Sequence, residues 1–395
     1  MRSLLIVLLI ATAARAEAQA RDSAGIRLVA LRLPATLPRA PFTLREMPSL
    51  VLGDSSGDPM QEFSDVPAAV RLSDGTIVVV NRATNELRFF DRTGRFLRTA
   101  GRRGQGPGEF TNIAAFALLP GDSLMVQDWS TSRVAVFTAR GTLARTFRLG
   151  PAPRRPRGAL VGAFPDQTLL GAGSDYLTEA EPPPGVFTLT QTLFTFTPAG
   201  NPVRELGSML ERQFLFVALL SGRDVARYVL PFGPLGTIRV WRDTYLTGDG
   251  GSFEVREYAR DGRLFRILRA DHAGPGITEA DKAAEKQRLL AFYGQRTTTP
   301  GFERFWAQVP WQERLPAFRR FEVDPEGRLW IETFESASAP ERTWIVFDAD
   351  RRLLGFVAVP KRLDVLQLTG DGVLGVYRDA DDVEQVRYYP FIPRP

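Results

Sequence analysis

Cysteine is absent from the 395 residues, histidine occurs once, at His272, and lysine only at Lys282, Lys286 and Lys361. Without cysteine there are no disulfides and no thiol nucleophile, so stability must come from buried apolar surface. A single histidine rules out a His-rich zinc centre, and any Ser-His-Asp triad would rest entirely on His272. No segment approaches the ~18 to 20 apolar residues of a transmembrane helix. Acidic residues are slightly outnumbered, 45 Asp+Glu against 50 Lys+Arg, a formal +5. Because the arginines are dispersed rather than clustered, no nucleic-acid partner is expected.

The chain opens MRSLLIVLLIATAARAEAQA, with a basic residue at Arg2, an apolar run from Leu4 to Ile10 and small residues ending at Ala16, Ala18 or Ala20. This pattern reads as a secretory signal peptide over residues 1–20, cleaved near 16–20. The mature chain, 21–395, is expected to be a single domain that is periplasmic or extracellular, and monomeric.

A repeat organises the remainder. The stretches "GTIVVVNRATNELRFFDRTGRFLRTAG" (75–101) and "DSLMVQDWSTSRVAVFTARGTLARTFRLG" (122–150) both read as strand, polar loop, strand, tight turn, strand. First hairpin signals fall at Asp74-Gly75, Gly121-Asp122, Asp166-Gln167, Arg242-Asp243, Glu326-Gly327 and Asp371-Gly372. Second signals fall at Thr93-Gly94, Arg140-Gly141, Ala199-Gly200, Asp261-Gly262 and Asp350-Arg351. Gly and Asp tolerate the positive φ such turns need. A period of about 45 residues is one four-stranded blade of a β-propeller.

The expected fold is therefore all-β, a six-bladed β-propeller of four-stranded antiparallel blades starting near Val66, Ile113, Leu160, Leu235, Phe318 and Leu363. The last blade lacks a strand before the chain stops at Pro395. "LREMPSLVLGDSSGDPMQEFSDV" (44–66) has the same order as "GRFLRTAGRRGQGPGEFTNI", with Gly53 matching Gly101 and Glu62-Phe63 matching Glu109-Phe110. An N-terminal strand would thus complete the last blade and close the ring, removing an exposed edge. One helical insertion, about 275–315 between blades four and five, contains "ITEADKAAEKQRLLAFYG", with Thr278 as N-cap, Asp281 in a capping-box position and Gly294 as its stop. "TEAEPPPGV" (178–186) implies an exposed excursion in blade three, since its prolines forbid regular pairing.

The first two blades resemble NHL-type repeats: Asn81 and Asp128 match the family's Asp, Asn85 and Ser132 its following Asn, and Arg133 its Arg. Glu86 departs from that pattern, and blades three to six lose it. The mature chain also resembles secreted bacterial six-bladed propellers that carry a G-x-x-G-x-G-P-G-E-F loop, a helical insertion and a following "LPAFRRFEVDPEGRLWI" segment (315–331). The resemblance implies an exported propeller.

In an antiparallel meander the second turn of each blade and the link to the next blade share one end of the ring. That end carries the candidate ligand-binding residues Asn81, Arg82, Arg102, Arg103, Asp128 and Arg133. The glycines at 101, 104, 106 and 108 raise the idea of an anion cradle reinforced by Arg102 and Arg103. No Gly-Lys-Ser/Thr and no helix follow, which excludes a P-loop. The alternative is a tight crossing between blades with Phe110 as a wedge. Asn81 and Asp128 would line a pocket or cap strand ends, and Arg133 would grip a ligand carboxylate or pair with Asp128. Trp306 and Trp311 would offer a surface contact or dock the helix onto the ring.

No catalytic residue, metal ligand or cofactor is expected. Calcium stays open on carboxylates alone, although "DADDVE" (379–384) and "DADRR" (348–352) lack the spacing of a calcium loop and read as turns. The functional expectation is a non-enzymatic propeller that recognises a ligand or protein partner on the link-bearing end. The alternatives are a carboxylate- or metal-dependent hydrolase or lyase of the propeller lactonase or streptogramin-lyase kind, and a structural envelope scaffold.

Overall fold

The computed structural model describes residues 18–23, 25–53, 57–151, 158–174, 182–218, 225–294 and 299–394. Most of the leader, and residues 178–181 of the proline-rich excursion, lie outside the described residues; the excursion is shorter than expected, since Gly185 and Val186 already pair with Phe216 and Leu215. Along the chain come β1 (Ala18–Ser23), β2 (Ile26–Leu31), β3 (Phe42–Leu44) and β4 (Leu50–Leu52). They are followed by β5 (Ala68–Arg71), β6 (Ile77–Asn81), β7 (Glu86–Phe90) and β8 (Phe96–Ala100). The second group is β9 (Ile113–Leu118), β10 (Leu124–Asp128), β11 (Arg133–Phe137) and β12 (Leu143–Arg148). The third is β13 (Ala159–Ala163), β14 (Leu169–Ser174), β15 (Gly185–Phe196), β16 (Pro202–Ala218) and β17 (Val225–Val229). The fourth is β18 (Thr237–Trp241), β19 (Thr244–Gly248), β20 (Glu254–Ala259) and β21 (Leu264–Ala270). Helices α1 (Glu279–Tyr293) and α2 (Thr299–Ala307) follow, then β22 (Arg320–Val323), β23 (Leu329–Glu332), β24 (Glu341–Phe347) and β25 (Leu353–Pro360). The chain ends with β26 (Leu363–Leu368), β27 (Gly372–Arg378) and β28 (Glu384–Pro393).

Each group forms its own antiparallel meander, giving six sheets. The middle strands of the first two sheets are buried along their whole length on both faces, as in "IVVVN" and "LMVQD". Such strands need a neighbour on either side, which explains their runs of β-branched and large apolar residues. The neighbours are the adjacent sheets. Val80, Phe89, Phe110 and Phe137 join the first sheet to the second, and Met125, Val136, Leu169 and Phe196 join the second to the third. Phe164 and Tyr245 continue to the fourth, Leu268 and Ile331 to the fifth, and Trp344 and Val373 to the sixth. Val386 and Ile77 return to the first. This face-to-face packing of antiparallel meanders makes the chain an all-β propeller.

The turn chemistry read from the sequence is present. Positive φ occurs in every proposed turn pair except Asp371-Gly372. There the glycine serves close approach instead, since a Cβ on Gly372 would lie 2.5 Å from the Tyr388 hydroxyl.

The N-terminal segment contributes in two places. Leu50–Leu52 pairs antiparallel with Tyr388–Val386 on β28, and Phe42–Leu44 pairs with Pro393–Phe391. The sequence did not suggest the second contribution: β2 lies parallel to β21 on the outer edge of the fourth sheet, and β1 pairs outside it. Val29 and Leu31 are buried there, in the core shared by the fourth and fifth sheets.

Between β21 and β22, α1 has the expected start. Thr278 Oγ1 accepts from the Asp281 N–H at 3.2 Å, the Asp281 carboxylate accepts from the Thr278 N–H at 2.9 Å, and Gly294 ends the helix. The second helix, α2, carries Phe302, Phe305 and Trp306 on an apolar face that its short length hid from periodicity. With Leu289 and Val309 these side chains pack on Leu215, Val217 and Tyr228 of the long β16–β17 hairpin.

Candidate functional site: a cavity beside the inserted helices

The six candidates from sequence sit at strand ends or in loops at the link-bearing end, and all but Arg103 have side chains turned to structural work. Asn81 is buried and its Oδ1 accepts from the Ser64 N–H at 3.0 Å. Asp128 holds the equivalent place in the next sheet, accepting from the N–H groups of Thr111 at 2.5 Å, Asn112 at 2.9 Å and Thr131 at 2.9 Å. Burial pushes the Asp128 carboxyl up, yet those donors together outweigh it and hold it below the usual aspartate range. Arg82 pairs with Asp65 at 3.2 Å.

The glycine-rich loop is closed on itself. The Gly104 N–H donates to Phe110 O at 3.0 Å, the Phe110 N–H to Arg102 O at 2.9 Å, and the Gly106 N–H to the Glu109 carboxylate at 2.8 Å. Arg102 pairs with the same carboxylate at 2.7 Å, while Arg103 stays exposed. With these N–H groups spent internally, the loop is a crossing rather than an anion cradle. Phe110 is the wedge: a Cβ on Gly101 would lie 2.7 Å from its ring, and a Cβ on Gly53 would lie 2.7 Å from the ring of Phe63.

Arg133 departs from the expected pairing with Asp128. Its Nη1 donates to the carbonyls of Gln105 at 2.6 Å and Gly106 at 2.5 Å, because Asp128 is already filled by backbone donors. In the first sheet Glu86 occupies that repeat position, and Arg88, two residues on, takes over. Arg88 Nη1 donates to the carbonyls of Pro59, Met60 and Glu62 at 2.9, 3.1 and 2.6 Å, and its guanidinium pairs with Glu86 at 2.8 Å.

Other sequence candidates are also accounted for. Trp306 and Trp311 lie half-buried against each other, rings 5.0 Å apart, with Lys282 5.1 Å from the Trp311 ring and Lys286 5.8 Å from the Trp306 ring. They belong to the seam that docks the insertion. His272 packs edge-on against Phe253 at 5.4 Å, and burial pulls its pKa below the usual range. Asp379 and Asp348 cap their own turns, accepting from the Val383 and Arg352 N–H groups at 2.9 and 2.8 Å. Among the described residues no group of three or more His, Cys, Asp or Glu side chains is arranged to hold a metal ion.

The concavity at the same end lies elsewhere, beside α1. A cavity of about 440 Å³ is bounded by Ala284, Glu285 and Arg288 of α1, by Arg212 and residues 229–235 of the β16–β18 passage, and by Leu315–Arg319, Phe334–Ala337 and Lys361. That volume is in the range of small-molecule sites. These segments are the links and second-turn loops of the third to sixth sheets, which strand alternation brings to one end.

One lining residue, Arg319, belongs to a charged cluster that otherwise lies outside the lining. Glu332, fully buried at the end of β23, receives Arg320 at 2.7 Å, Arg342 at 3.2 Å and Arg319 at 3.6 Å, while Arg320 also reaches Asp364 at 2.7 Å. The walls are apolar where Leu230, Phe232, Leu315, Phe318 and Phe334 line them. The sequence reading did not single out Arg212, Arg319, Phe334 or Lys361, because they belong to no repeat motif. Arg319 does fall in the quoted segment "LPAFRRF", which supplies one wall.

Fold and site together define a β-propeller with a lateral cavity at the end carrying its inter-sheet links. A family model described as a six-bladed β-propeller matches residues 64–149, the first two sheets. Among solved structures, a protein of Bacteroides fragilis thought to be exported aligns with TM-score 0.51 at 11% identity, covering 93% of this chain and 100% of its own. A DUF4221-family protein of Bacteroides vulgatus aligns with TM-score 0.47 at 10% identity over 89% of this chain and 99% of its own. An inactive virginiamycin B lyase of Staphylococcus aureus, determined with quinupristin, aligns with TM-score 0.43 at 9% identity over 89% and 100%. No curated protein matches the chain.

Proposed function

We propose that this chain is an exported, non-catalytic six-bladed propeller, its ring completed by β4, which recognises a small ligand in the cavity beside α1. Export is supported by the leader-like start of the chain, and the six-bladed ring by the cyclic order of the inter-sheet cores. The observation that carries the ligand-binding reading is the cavity itself. Helix α1, which a propeller does not need for closure, builds one of its walls and is held there, together with α2, by a dedicated apolar seam. The candidates Asn81, Arg82, Arg102, Arg103, Asp128 and Arg133 share the end of the ring with this cavity and act in our reading by shaping the links. The chain acts as a monomer, with no cofactor.

The test is a thermal-shift screen of the mature chain against small-molecule fragments, repeated on Ala284→Trp. Ala284 is exposed on α1 and lines the cavity, so the indole should fill the opening without disturbing the fold. The expected result is a set of stabilising fragments whose effect disappears in the variant while its unliganded melting temperature is unchanged. Hits that persist undiminished in Ala284→Trp would move the site away from this cavity.

A further inference from the structure

Resting on that cavity as the site, we propose that its ligand is an organic monoanion, a carboxylate on an apolar body, held by the guanidinium groups of Arg212 and Arg319.

Most of the cavity's charges are already committed. Glu285 is gripped by Arg288 through two bonds of 2.7 and 2.6 Å. Asp281 caps α1 and accepts from the Ala337 N–H at 2.6 Å. Lys361 donates to the carbonyls of Ser336 and Ala337. What remains is two guanidinium groups, Arg212 and Arg319, against one carboxylate, Glu335. Arg319 makes no side-chain hydrogen bond among the described residues, and the Glu332 oxygen 3.6 Å from it is shared with Arg342. Its side chain is 47% exposed and lies 5.3 Å from the centre of the Phe334 ring. Desolvation and the neighbouring Arg342 and Arg320 charges draw this guanidinium below its usual range, only partly offset by Glu332 and Asp364. An anion in the cavity would supply the missing compensation.

Arg212 presents the second vacant donor. Its Nε is turned into the protein, but the side chain is 38% exposed and lines the cavity, which leaves its Nη groups to meet a ligand. Its ion pair is a long one, with Glu211 Oε1 3.9 Å from Nε, and the other oxygen of that carboxylate accepts from the Ser174 hydroxyl. A charged acceptor is the strongest hydrogen-bond partner of a guanidinium.

The surroundings select the class of anion. Planar guanidinium groups suit a carboxylate's two oxygens, and the apolar walls call for a hydrocarbon or aromatic body. Glu335 lines the cavity with only the Thr333 hydroxyl as a recorded partner, at 3.1 Å. Its negative charge penalises a phosphate dianion more than a carboxylate.

The experiment is titration calorimetry of the mature chain with a panel of aryl and C4 to C8 alkyl carboxylates, their matched amides, and phenyl phosphate. Arg212→Gln, Arg319→Gln and Ala284→Trp are titrated alongside. Removing Arg319 leaves Glu332 with Arg320 and Arg342, so that variant should fold; Arg212→Gln gives an independent reading. We expect at least one carboxylate to bind, its amide to bind at least tenfold more weakly, and each Arg→Gln change to weaken the carboxylate about tenfold while sparing the amide. Amides equal to carboxylates, phenyl phosphate tighter than every carboxylate, or binding unaffected by both arginine changes would overturn the monoanion while leaving the cavity as a site. Failure of every carboxylate overturns the monoanion too; if Ala284→Trp also leaves all fragment hits intact, the cavity itself is refuted.

Discussion

Two arginines on neighbouring sheets perform one task from different repeat positions. Arg133 clamps the carbonyls of Gln105 and Gly106, and Arg88 those of Pro59, Met60 and Glu62. Arg88 is buried and paired with the half-buried Glu86, so Arg88→Ala would remove that carboxylate's ion pair and strand three carbonyls. It should cost about 3 to 5 kcal/mol, the scale of breaking a buried pair. Arg133→Ala, nearer solvent, should cost about 1 to 3 kcal/mol. Denaturant melts measure both; equal and negligible losses would mean the links hold without clamps. Asp128 adds a pH signature. Its folded pKa lies below the unfolded value of about 3.9, so its stabilisation is fully present above pH ~4 and lost as pH falls through the depressed value. Asp128→Asn should therefore be destabilised by about 1 to 3 kcal/mol at pH 7. The gap to the parent should close in acid; a gap constant down to pH 2 would contradict the assignment.

The link loops are the informative elements. Gly53 and Gly101 both have positive φ and both sit against a phenylalanine ring that leaves no room for a methyl group. Gly101→Ala should destabilise by about 2 to 4 kcal/mol, combining backbone strain with overpacking. Phe110→Leu in the same chain should recover part of the loss by vacating the wedge, and a strictly additive double variant would argue against this contact. This element was legible because the glycines, Glu and Phe recur in the same order in 44–66 and 94–113. The helix start at Thr278 was legible for a similar reason, since a capping box is a local motif. By contrast, α2 was not, because nine residues give too few turns for periodicity, and its apolar face answers to the β16–β17 hairpin rather than to any local rule.

At the scale of the whole molecule, the N-terminal segment makes two attachments of different consequence. The β1–β2 hairpin adds to an outer edge and buries Val29 and Leu31, so a chain beginning at Leu33 should fold with a lower melting temperature. Truncation to Gly53 also removes β3 and β4, the partners of β28. That chain should lose cooperative melting and aggregate through the exposed edge. Adding a peptide spanning 42–66 should restore a cooperative transition; a truncated chain that melts like the parent would refute closure by β4.

The division between what the chain spells out and what folding decides follows from the range of the interactions. Strands, hairpin turns, the capping box and the paired link loops are set by contacts within a few residues or by a repeated unit, so residue type and spacing alone disclose them. The cavity is assembled from Arg212, Arg288, Arg319, Phe334 and Lys361, which stand far apart in sequence and share no motif. Only the curvature of the packed sheets and the docking of α1 and α2 bring them together. The same holds for the fate of Arg133: its residue type suited a ligand's carboxylate or Asp128, and the tertiary structure gave it two backbone carbonyls because Asp128 was already filled and a neighbouring loop lay within reach.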